Sequence, residues 1–304
     1  MNLQKEETGD TMDQKKKPLY KGMIGLDLDG TALDEEKHLR PAVREAMEEA
    51  IKAGYLVIPA TGRPVRGLSR EMMAVPGISY AVTSNGAVLF KINDFEKQDW
   101  EEIYRDPLPD RTVWQVVETL KPYDVIIDCF IDGHGNMPLS MKDSVSRRGL
   151  PQGLVNYILQ DRAFHEDWET FVRSHPGETV KMTIIFDMTK NGAAEKEAAG
   201  HALKNVPGIL LVSGGRHNLE ISRETTGKGR GMLQLCQILG VDPSRTMGCG
   251  DEGNDLDLIE RAAFGVVMGN ADDAIKARGD FVTKSNEEDG VAIGIREFLK
   301  RMEG

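Results

Sequence analysis

Residues 23–31 read Met-Ile-Gly-Leu-Asp-Leu-Asp-Gly-Thr, an apolar run that stops at an Asp-Gly pair. The apolar run predicts a buried strand, and the Asp-Gly pair predicts a tight turn directly after it. Asp27 and Asp29 are two residues apart, so the pleat of a strand would point both carboxylates the same way. Two carboxylates that close repel each other, and a cation, a proton or both must offset the repulsion. The stretch therefore predicts one strand of a buried sheet with a polar site at its end.

The sequence around this stretch alternates between predicted strands and helices. Pro41 opens a helix with helical apolar spacing, and Gly54 stands where the left-handed C-terminal cap of that helix belongs. The same alternation continues through apolar strands at 55–60, 80–83, 245–249 and 265–268. Strands alternating with helices over short loops are typical of a parallel sheet. The predicted fold class is α/β, with a doubly wound parallel sheet.

The alternation is interrupted between the two halves of this sheet. Residues 87–215 contain hairpin-type strands and separate helices, which indicates an inserted α+β unit. We therefore predict a core of residues 20–86 and 216–304 and a cap domain of residues 87–215. Residues 1–19 are mostly polar and charged and have no apolar segment, so we predict a disordered leader there.

The composition excludes several classes of function. The 304 residues carry 49 acidic and 38 basic side chains, a formal charge of -11, which disfavours binding to nucleic acid or to anionic lipid. No apolar run approaches the roughly 18 residues of a membrane span. Three cysteines, Cys129, Cys236 and Cys249, form no CxxC pair and suit a reducing compartment. These observations predict a cytoplasmic protein that binds neither nucleic acid nor membrane, and they do not define its oligomeric state.

Polar residues follow the other predicted strands as well. In a parallel sheet, ligands bind beyond the carboxyl ends of the strands. Asp251 follows an apolar strand and is the natural further ligand for a hard cation such as Mg2+, whose preferred ligands are oxygen atoms. Lys228 stands between two glycines, where small neighbours leave room for a phosphate, and Thr61 precedes Gly62 at another strand end. This set of groups is what phosphoryl transfer through an aspartyl phosphate needs.

Each of these residues also has a plainer interpretation when it is considered alone. The Asp27 to Gly30 segment could be a structural turn or a calcium loop, although its spacing does not match an EF-hand. Lys228 could be a solvated loop residue, and Thr61 could cap a helix. The order of the residues along the chain favours the chemical interpretation.

In order, spacing and strand context, the sequence resembles the haloacid dehalogenase superfamily of phosphatases, in its Cof-type branch with a type IIB cap. The resemblance covers about residues 20–302. It rests on these motifs: Asp27-Leu28-Asp29-Gly30-Thr31, Thr61-Gly62-Arg63, Asn85-Gly86-Ala87, Lys228-Gly229, Gly250-Asp251 through Asn254-Asp255, Met268-Gly269-Asn270-Ala271, and the tail from Thr283 to Gly290. It departs from the family pattern at Ala32 and Glu252, and neither position is a catalytic one.

The resemblance implies a Rossmann-like core and a role for each site residue. Asp27 would be the nucleophile and Asp29 the general acid and base. Asp27, Asp29 through its backbone carbonyl, and Asp251 would bind Mg2+, with Asp255 just behind them. The implied phosphate-binding residues are Thr61, Gly62, Lys228 and Asn254.

The function that we predict from these features is Mg2+-dependent hydrolysis of small phosphate monoesters, such as a sugar phosphate or a related metabolite, through an aspartyl phosphate. Two alternatives stay open. A phosphomutase or other phosphotransferase would use the same intermediate, and a non-catalytic phospholigand-binding protein would keep the fold but lack a catalytic group. The natural substrate, and the cap residues that select it, are not defined by the sequence.

Overall fold

The computed structural model describes residues 19–213 and 215–303. The predicted disordered leader, residues 1–19, lies outside the described residues except for Leu19. Among the described helices, none is both long enough and apolar enough to cross a membrane.

The strands and helices of the described residues are numbered here in chain order. The strands are β1 Gly22–Leu26, β2 Tyr55–Pro59, β3 Tyr80–Thr83, β4 Val88–Asp94, β5 Asp99–Arg105, β6 Val125–Ile131, β7 His134–Pro138, β8 Ala163–His165, β9 Lys181–Phe186, β10 Ile209–Ser213, β11 Asn218–Arg223, β12 Thr246–Gly250, β13 Phe264–Val267 and β14 Phe281–Val282. The α-helices are α1 Pro41–Lys52, α2 Arg70–Met73, α3 Asp110–Leu120, α4 Lys142–Val145, α5 Gln152–Asp161, α6 Trp168–Arg173, α7 Gly192–Leu203, α8 Lys228–Leu239, α9 Leu256–Arg261, α10 Asp273–Lys276 and α11 Gly290–Glu303. Short 3-10 turns span Val65–Gly67, Ser84–Gly86, Leu139–Met141, Pro243–Arg245, Gly253–Asp255 and Asn286–Glu288.

A five-stranded parallel sheet, in the order β14-β13-β12-β1-β2, forms the centre of the molecule. In its register Leu26 of β1 lies opposite Cys249 of β12 and Pro59 of β2. All residues of β1, β2, β12 and β13 are buried, which explains why these strands have continuous apolar or small-residue sequences. The predicted α/β class with a parallel core sheet is confirmed.

Helices cover both faces of this sheet, as the period-two side-chain pattern of β1 requires. Ile24 and Leu26 pack in one apolar cluster with residues of α1 and α11. Met23 packs on the opposite face with Met232 and Leu235 of α8 and with α9. Successive residues of β1 therefore anchor helices on opposite faces, which is the doubly wound arrangement.

A second sheet has six strands in the order β10-β11-β9-β6-β7-β8, antiparallel except for the pair of β7 and β8. Its outer face packs against α3, α6 and α7 through residues such as Met182 and Ile184. Its other face packs against α4 and α5 through Ile126 and Ile185. A mostly antiparallel sheet with helices packed against it is the α+β arrangement expected of the inserted unit.

The strand pairing crosses both predicted boundaries of the insertion. The hairpin of β4 and β5 pairs with β3, and β3 lies beside β2 through a parallel bridge between Ala60 and Val82, so this hairpin extends the core. β11 pairs with β9 and β10, so it extends the second sheet. An antiparallel strand pattern does not show which sheet a strand joins, so the sequence alone could not assign these three strands to a sheet.

The two chain segments between the sheets lie side by side. Asp106, after β5, accepts a hydrogen bond from Arg223 Nη1, at the end of β11, at 2.7 Å and one from Thr225 Oγ1, just after β11, at 2.5 Å. We propose that the cap begins and ends at these two segments, near residues 106 and 225, rather than at 87 and 215. The division of the chain into core and cap is itself a proposal.

Replacing Phe298 tests the aromatic packing between α11 and the core sheet. Its fully buried ring meets Tyr55 edge-on at 5.4 Å between centroids and stacks on Phe264 at 6.2 Å. Phe298→Ala should lower the free energy of unfolding by about 3–5 kcal/mol, because it removes apolar contacts and leaves a cavity. Ile293→Ala, at a position 40% exposed on the same helix, should cost less than about 1 kcal/mol. Equal losses in urea unfolding would contradict this packing.

Candidate active site

The residues at the candidate site follow the carboxyl ends of neighbouring strands. Asp27 follows β1, and its backbone N–H donates to the carbonyl of Cys249 in β12 at 3.0 Å. Asp251 follows β12 directly, and Thr61 lies two residues beyond β2. Since these strands are adjacent and parallel, their ends meet at one edge of the sheet.

A buried lysine links two aspartates at this edge. Lys228 Nζ donates to Asp27 Oδ1 at 2.7 Å and to Asp255 Oδ1 at 2.5 Å. The side chains of Lys228 and Asp255 are 1% and 0% exposed. Burial alone would lower the pKa of Lys228, but the charges of Asp255 and Asp27 outweigh burial and raise it. Lys228 is therefore a buried cation beside Asp27, and its predicted role in phosphate binding stays a prediction.

Close backbone packing allows Lys228 to be buried at the start of α8. A Cβ on Gly229 would lie 1.9 Å from the carbonyl oxygen of Asp257 in α9. Gly86 has a φ of +87°, and a Cβ there would lie 2.0 Å from the carbonyl oxygen of Gly227. Only glycine fits these positions. The glycines around Lys228 thus bring α8, α9 and the turn after β3 close enough to surround the ammonium group.

Asp251 is oriented by two polar neighbours. Its Oδ1 accepts from Thr31 Oγ1 at 2.8 Å, and its Oδ2 lies 3.3 Å from the donor Asn270 Nδ2. Asn270 Nδ2 also donates to the carbonyl of Gly30 at 2.9 Å. Segments far apart in the sequence therefore fix one carboxylate at the edge of the sheet.

The carboxylates of Asp27, Asp251 and Asp255 form a cluster whose ligand atoms lie within 4.8 Å of one another. Burial, and then repulsion by Asp255, raises the pKa of Asp27 well above its ordinary value. The same two causes raise the pKa of Asp251 to about 7. A bound cation would offset this repulsion. Such a set of carboxylate oxygens fits a hard divalent cation.

The two oxygens of Asp255 are already engaged. Oδ1 accepts from Lys228, and Oδ2 accepts from the backbone N–H groups of Asp251 and Glu252, both at 3.0 Å. Among the described residues Asp27 Oδ2 accepts no hydrogen bond, and each oxygen of Asp251 faces a single uncharged donor. The cation would therefore contact Asp27 and Asp251, with Asp255 holding the loop that carries Asp251.

The carboxylate of Asp29 lies outside that cluster. Arg63 donates to both of its oxygens, from Nε at 2.8 Å and from Nη2 at 2.6 Å, and Lys37 Nζ lies 2.9 Å from Oδ1. Burial would raise the pKa of Asp29, but the hydrogen bonds and charges of Arg63 and Lys37 outweigh it and lower the pKa. In this arrangement Asp29 is an ionised carboxylate.

A cavity of about 290 Å³ lies between the core edge and the second sheet. Its lining includes most of the predicted site residues: Asp27, Asp29, Thr61, Gly62, Lys228 and Asn254. Thr61 is buried, and its hydroxyl oxygen accepts from the backbone N–H of Arg63 at 3.2 Å. Asp251 lines an adjoining cavity, and Asp255 is fully buried behind the site. The structure thus brings all the predicted residues together, while their individual roles stay predictions.

Four charged residues of the second sheet and its flanking helix line the same cavity, and the sequence reasoning missed them: Asp128, Arg162, Lys181 and Glu220. Arg63 was noted in a motif but given no role. Asp128 and Lys181 do leave a signal in the sequence, because each is a charge within an otherwise apolar strand. A charge on a buried strand needs a partner or a ligand.

The α/β fold, the carboxylate cluster and the buried lysine together form a charged site at the edge of a parallel sheet. The sequence profile of the family described as haloacid dehalogenase-like hydrolase matches residues 24–295. The chain therefore belongs to the haloacid dehalogenase-like hydrolases, and the predicted family is confirmed.

The sequence similarity to named proteins extends over nearly the whole chain. A Bacillus subtilis 5-amino-6-(5-phospho-D-ribitylamino)uracil phosphatase is 28% identical over 295 residues, covering 91% of this chain and 97% of its own. An Escherichia coli pyridoxal phosphate phosphatase is 27% identical over 282 residues, covering 91% and 98%. The solved structure of a subclass IIB sugar phosphatase of the superfamily superposes with a TM-score of 0.74 at 23% identity, covering 91% and 99%. The predicted enzyme class, phosphoric monoester hydrolase, is confirmed.

Removing the buried cation should destabilise the metal-free protein. Lys228→Met leaves Asp27 and Asp255 without their charged partner and should lower the free energy of unfolding by about 3–5 kcal/mol. The loss should be larger at pH 8 than at pH 5. Without Lys228 the pKa of buried Asp27 rises further above its unfolded value, and a carboxyl with a raised folded pKa loses stability as pH rises. Urea unfolding at both pH values measures the effect.

Lys121→Met is the matched control, because Lys121 forms an exposed ion pair with Glu118 of α3. It should change stability by less than about 1 kcal/mol at either pH. A Lys228 variant as stable as this control would show that the buried ion pairs are not needed for folding.

Proposed function

We propose that the chain is an Mg2+-dependent phosphatase that hydrolyses small phosphate monoesters with Asp27 as nucleophile. The observation that carries the proposal is that Asp27 belongs to the carboxylate cluster, accepts a hydrogen bond from Lys228 and lines the cavity between the core edge and the second sheet. The named relatives, which act on a phosphorylated ribitylaminouracil and on pyridoxal phosphate, support a small phosphorylated metabolite as the substrate.

The metal would be held by the carboxylates of Asp27 and Asp251 and by the backbone carbonyl of Asp29. When bound, Mg2+ would neutralise charge on the phosphoryl oxygens and on the two carboxylates. Thr31 and Asn270 already hold the Asp251 carboxylate in position, so little rearrangement of this ligand is needed.

In the first step a carboxylate oxygen of Asp27 attacks phosphorus, and the bond from phosphorus to the ester oxygen breaks. The leaving oxygen takes its proton from the carboxyl group of Asp29. In the second step Asp29 accepts a proton from water as the water oxygen attacks phosphorus. The bond to Asp27 then breaks and releases inorganic phosphate. Lys228 stabilises the negative charge on the phosphoryl group, and Thr61 and Asn254 offer it hydrogen bonds.

Asp29 must change partners during this cycle. The ionised Asp29 held by Arg63 and Lys37 is ready to act as a base but has no proton to donate. Acting as an acid requires it to leave Arg63 and to take up a proton. We therefore propose that the Arg63 contact belongs to the state before substrate binding.

Asp27→Asn tests the nucleophile. It should reduce phosphate release from small esters by at least about a thousandfold, because the carboxamide cannot form the aspartyl phosphate while binding groups stay in place. The assay is release of inorganic phosphate from a panel of esters, with Mg2+ and with EDTA. Asp273→Asn, on the exposed short helix α10, is the matched control and should keep wild-type rates. Undiminished turnover by the Asp27 variant would rule out the mechanism.

Mg2+ should also stabilise the fold. Binding to the cluster should raise the free energy of unfolding by about 2.7 kcal/mol at an Mg2+ concentration about 100 times the dissociation constant. Asp251→Asn should lose most of this increment, whereas Asp273→Asn should keep it. Melting curves with and without Mg2+ measure both variants without any substrate. An identical increment in the Asp251 variant would place the metal elsewhere.

A further inference from the structure

Two charged residues of the second sheet form a buried ion pair beside the core edge. Lys181 of β9 and Glu220 of β11 stand on neighbouring strands, and Lys181 Nζ lies 3.0 Å from Glu220 Oε1. Their side chains are 4% and 13% exposed. Burial would raise the pKa of Glu220, but the charge of Lys181 and the hydrogen bonds from Lys181 and Asn85 outweigh it and lower the pKa. Glu220 is therefore an ionised partner for the lysine.

Each member of this pair also contacts a turn at the core edge. Lys181 Nζ donates to the carbonyl of Gly62 at 2.7 Å. Glu220 Oε2 accepts from Asn85 Nδ2 at 2.6 Å. Gly62 lies in the segment after β2, and Asn85 lies in the 3-10 turn Ser84–Gly86 after β3. The pair therefore contacts two turns, both at the carboxyl ends of strands.

The two turns are joined to each other as well as to the pair. The backbone N–H of Asn85 donates to the carbonyl of Thr61 at 3.0 Å. A Cβ on Gly62 would lie 3.0 Å from Asn85 Oδ1 and 3.3 Å from Glu220 Oε2, so little space separates these groups. A displacement of one turn is therefore transmitted to the other.

Both turns support residues that are predicted to bind phosphate. Thr61 belongs to the first turn. In the second turn, Gly86 approaches the carbonyl of Gly227 so closely that no Cβ fits, and Gly227 directly precedes Lys228. The contacts of the ion pair thus reach Thr61 through one turn and the backbone of Lys228 through the other.

We propose that Lys181 and Glu220 are positioning residues of the phosphate site: by holding the two turns, they place Thr61 and Lys228 where the phosphoryl group binds. The proposal rests on the proposed phosphatase function and adds two residues that act through the core rather than on the phosphate. Phosphate binding and docking of the second sheet against the core are then linked, so that each favours the other.

Direct electrostatics and positioning predict opposite effects of removing Glu220. A carboxylate near an anion repels it, so the loss of the charge alone would strengthen the binding of inorganic phosphate. The loss of a positioning residue releases the turns and weakens the same binding. Inorganic phosphate has no leaving group, so its affinity reports on the phosphate site and not on groups that contact an alcohol.

Glu220→Ala should weaken the binding of inorganic phosphate about tenfold in saturating Mg2+, and Lys181→Met, which keeps an aliphatic stem beside Phe130, should weaken it by a similar factor. Titration calorimetry measures the dissociation constant at a temperature where melting curves show each variant to be folded, so a loss of stability alone leaves it unchanged. Glu118→Ala, at an exposed glutamate of α3, is the matched control and should bind phosphate as the wild type does. Unchanged or tighter binding by Glu220→Ala would overturn the proposal.

Asn85→Gly tests the contact from the core side and leaves the buried ion pair intact. Asn85 has a φ of +55°, which glycine adopts readily, so the variant removes the side chain without straining the turn. It should weaken phosphate binding about fivefold, and the double variant should lose no more than Glu220→Ala alone, because both changes break the same contact. Losses that multiply in the double variant would show that the two residues act separately, contrary to the proposal.

Binding and turnover separate this proposal from the phosphatase function. If the wild type binds inorganic phosphate but hydrolyses no ester, and the variants bind it more weakly, the phosphatase proposal fails and the positioning role stands. If the wild type hydrolyses esters while all the variants bind inorganic phosphate as it does, the positioning role fails and the phosphatase function stands.

Discussion

A single ammonium group between two buried aspartates holds the site together. Lys228 joins Asp27 at the end of β1 to Asp255 in the turn after β12, and Asp255 in turn holds the backbone that carries Asp251. Three carboxylates this close would repel one another and favour protonation. The lysine offsets part of that repulsion, and a bound divalent cation would offset the remainder. The same buried charges therefore explain both the shape of the sheet edge and why it could hold a metal.

This arrangement depends on backbones that approach closely. The ammonium can lie between the aspartates only because α8 begins in contact with α9 and with the turn after β3, at distances that admit no side chain at Gly229 or Gly86. Sheet, helices and site are thus coupled. The parallel strands bring the aspartates to one edge, the glycines bring the lysine to them, and the resulting ion pairs link both segments of the core.

Residue order was sufficient to predict the parallel sheet. It also pointed to residues that lie together at one edge of that sheet, because most of them follow strand ends directly and Lys228 begins a helix beside them. The sheet that an antiparallel strand joins is not predictable in the same way. The hairpin of β4 and β5 and strand β11 have ordinary antiparallel patterns, and only their partners show which sheet they join. The partners of Asp29 were also missed. Its contacts with Arg63 and Lys37 depend on how two loops fold over the strand end, which the spacing of a motif does not specify.

Two charged side chains of the second sheet contact the edge of the core sheet. Lys181 and Glu220 stand on the second sheet, yet their hydrogen bonds reach Gly62 and Asn85 at the edge of the core. Gly62 follows Thr61, a predicted phosphate-binding residue, so the contact from Lys181 holds the loop that carries Thr61. The arrangement of the second sheet and the position of that loop are therefore coupled, and a movement of one would be transmitted to the other.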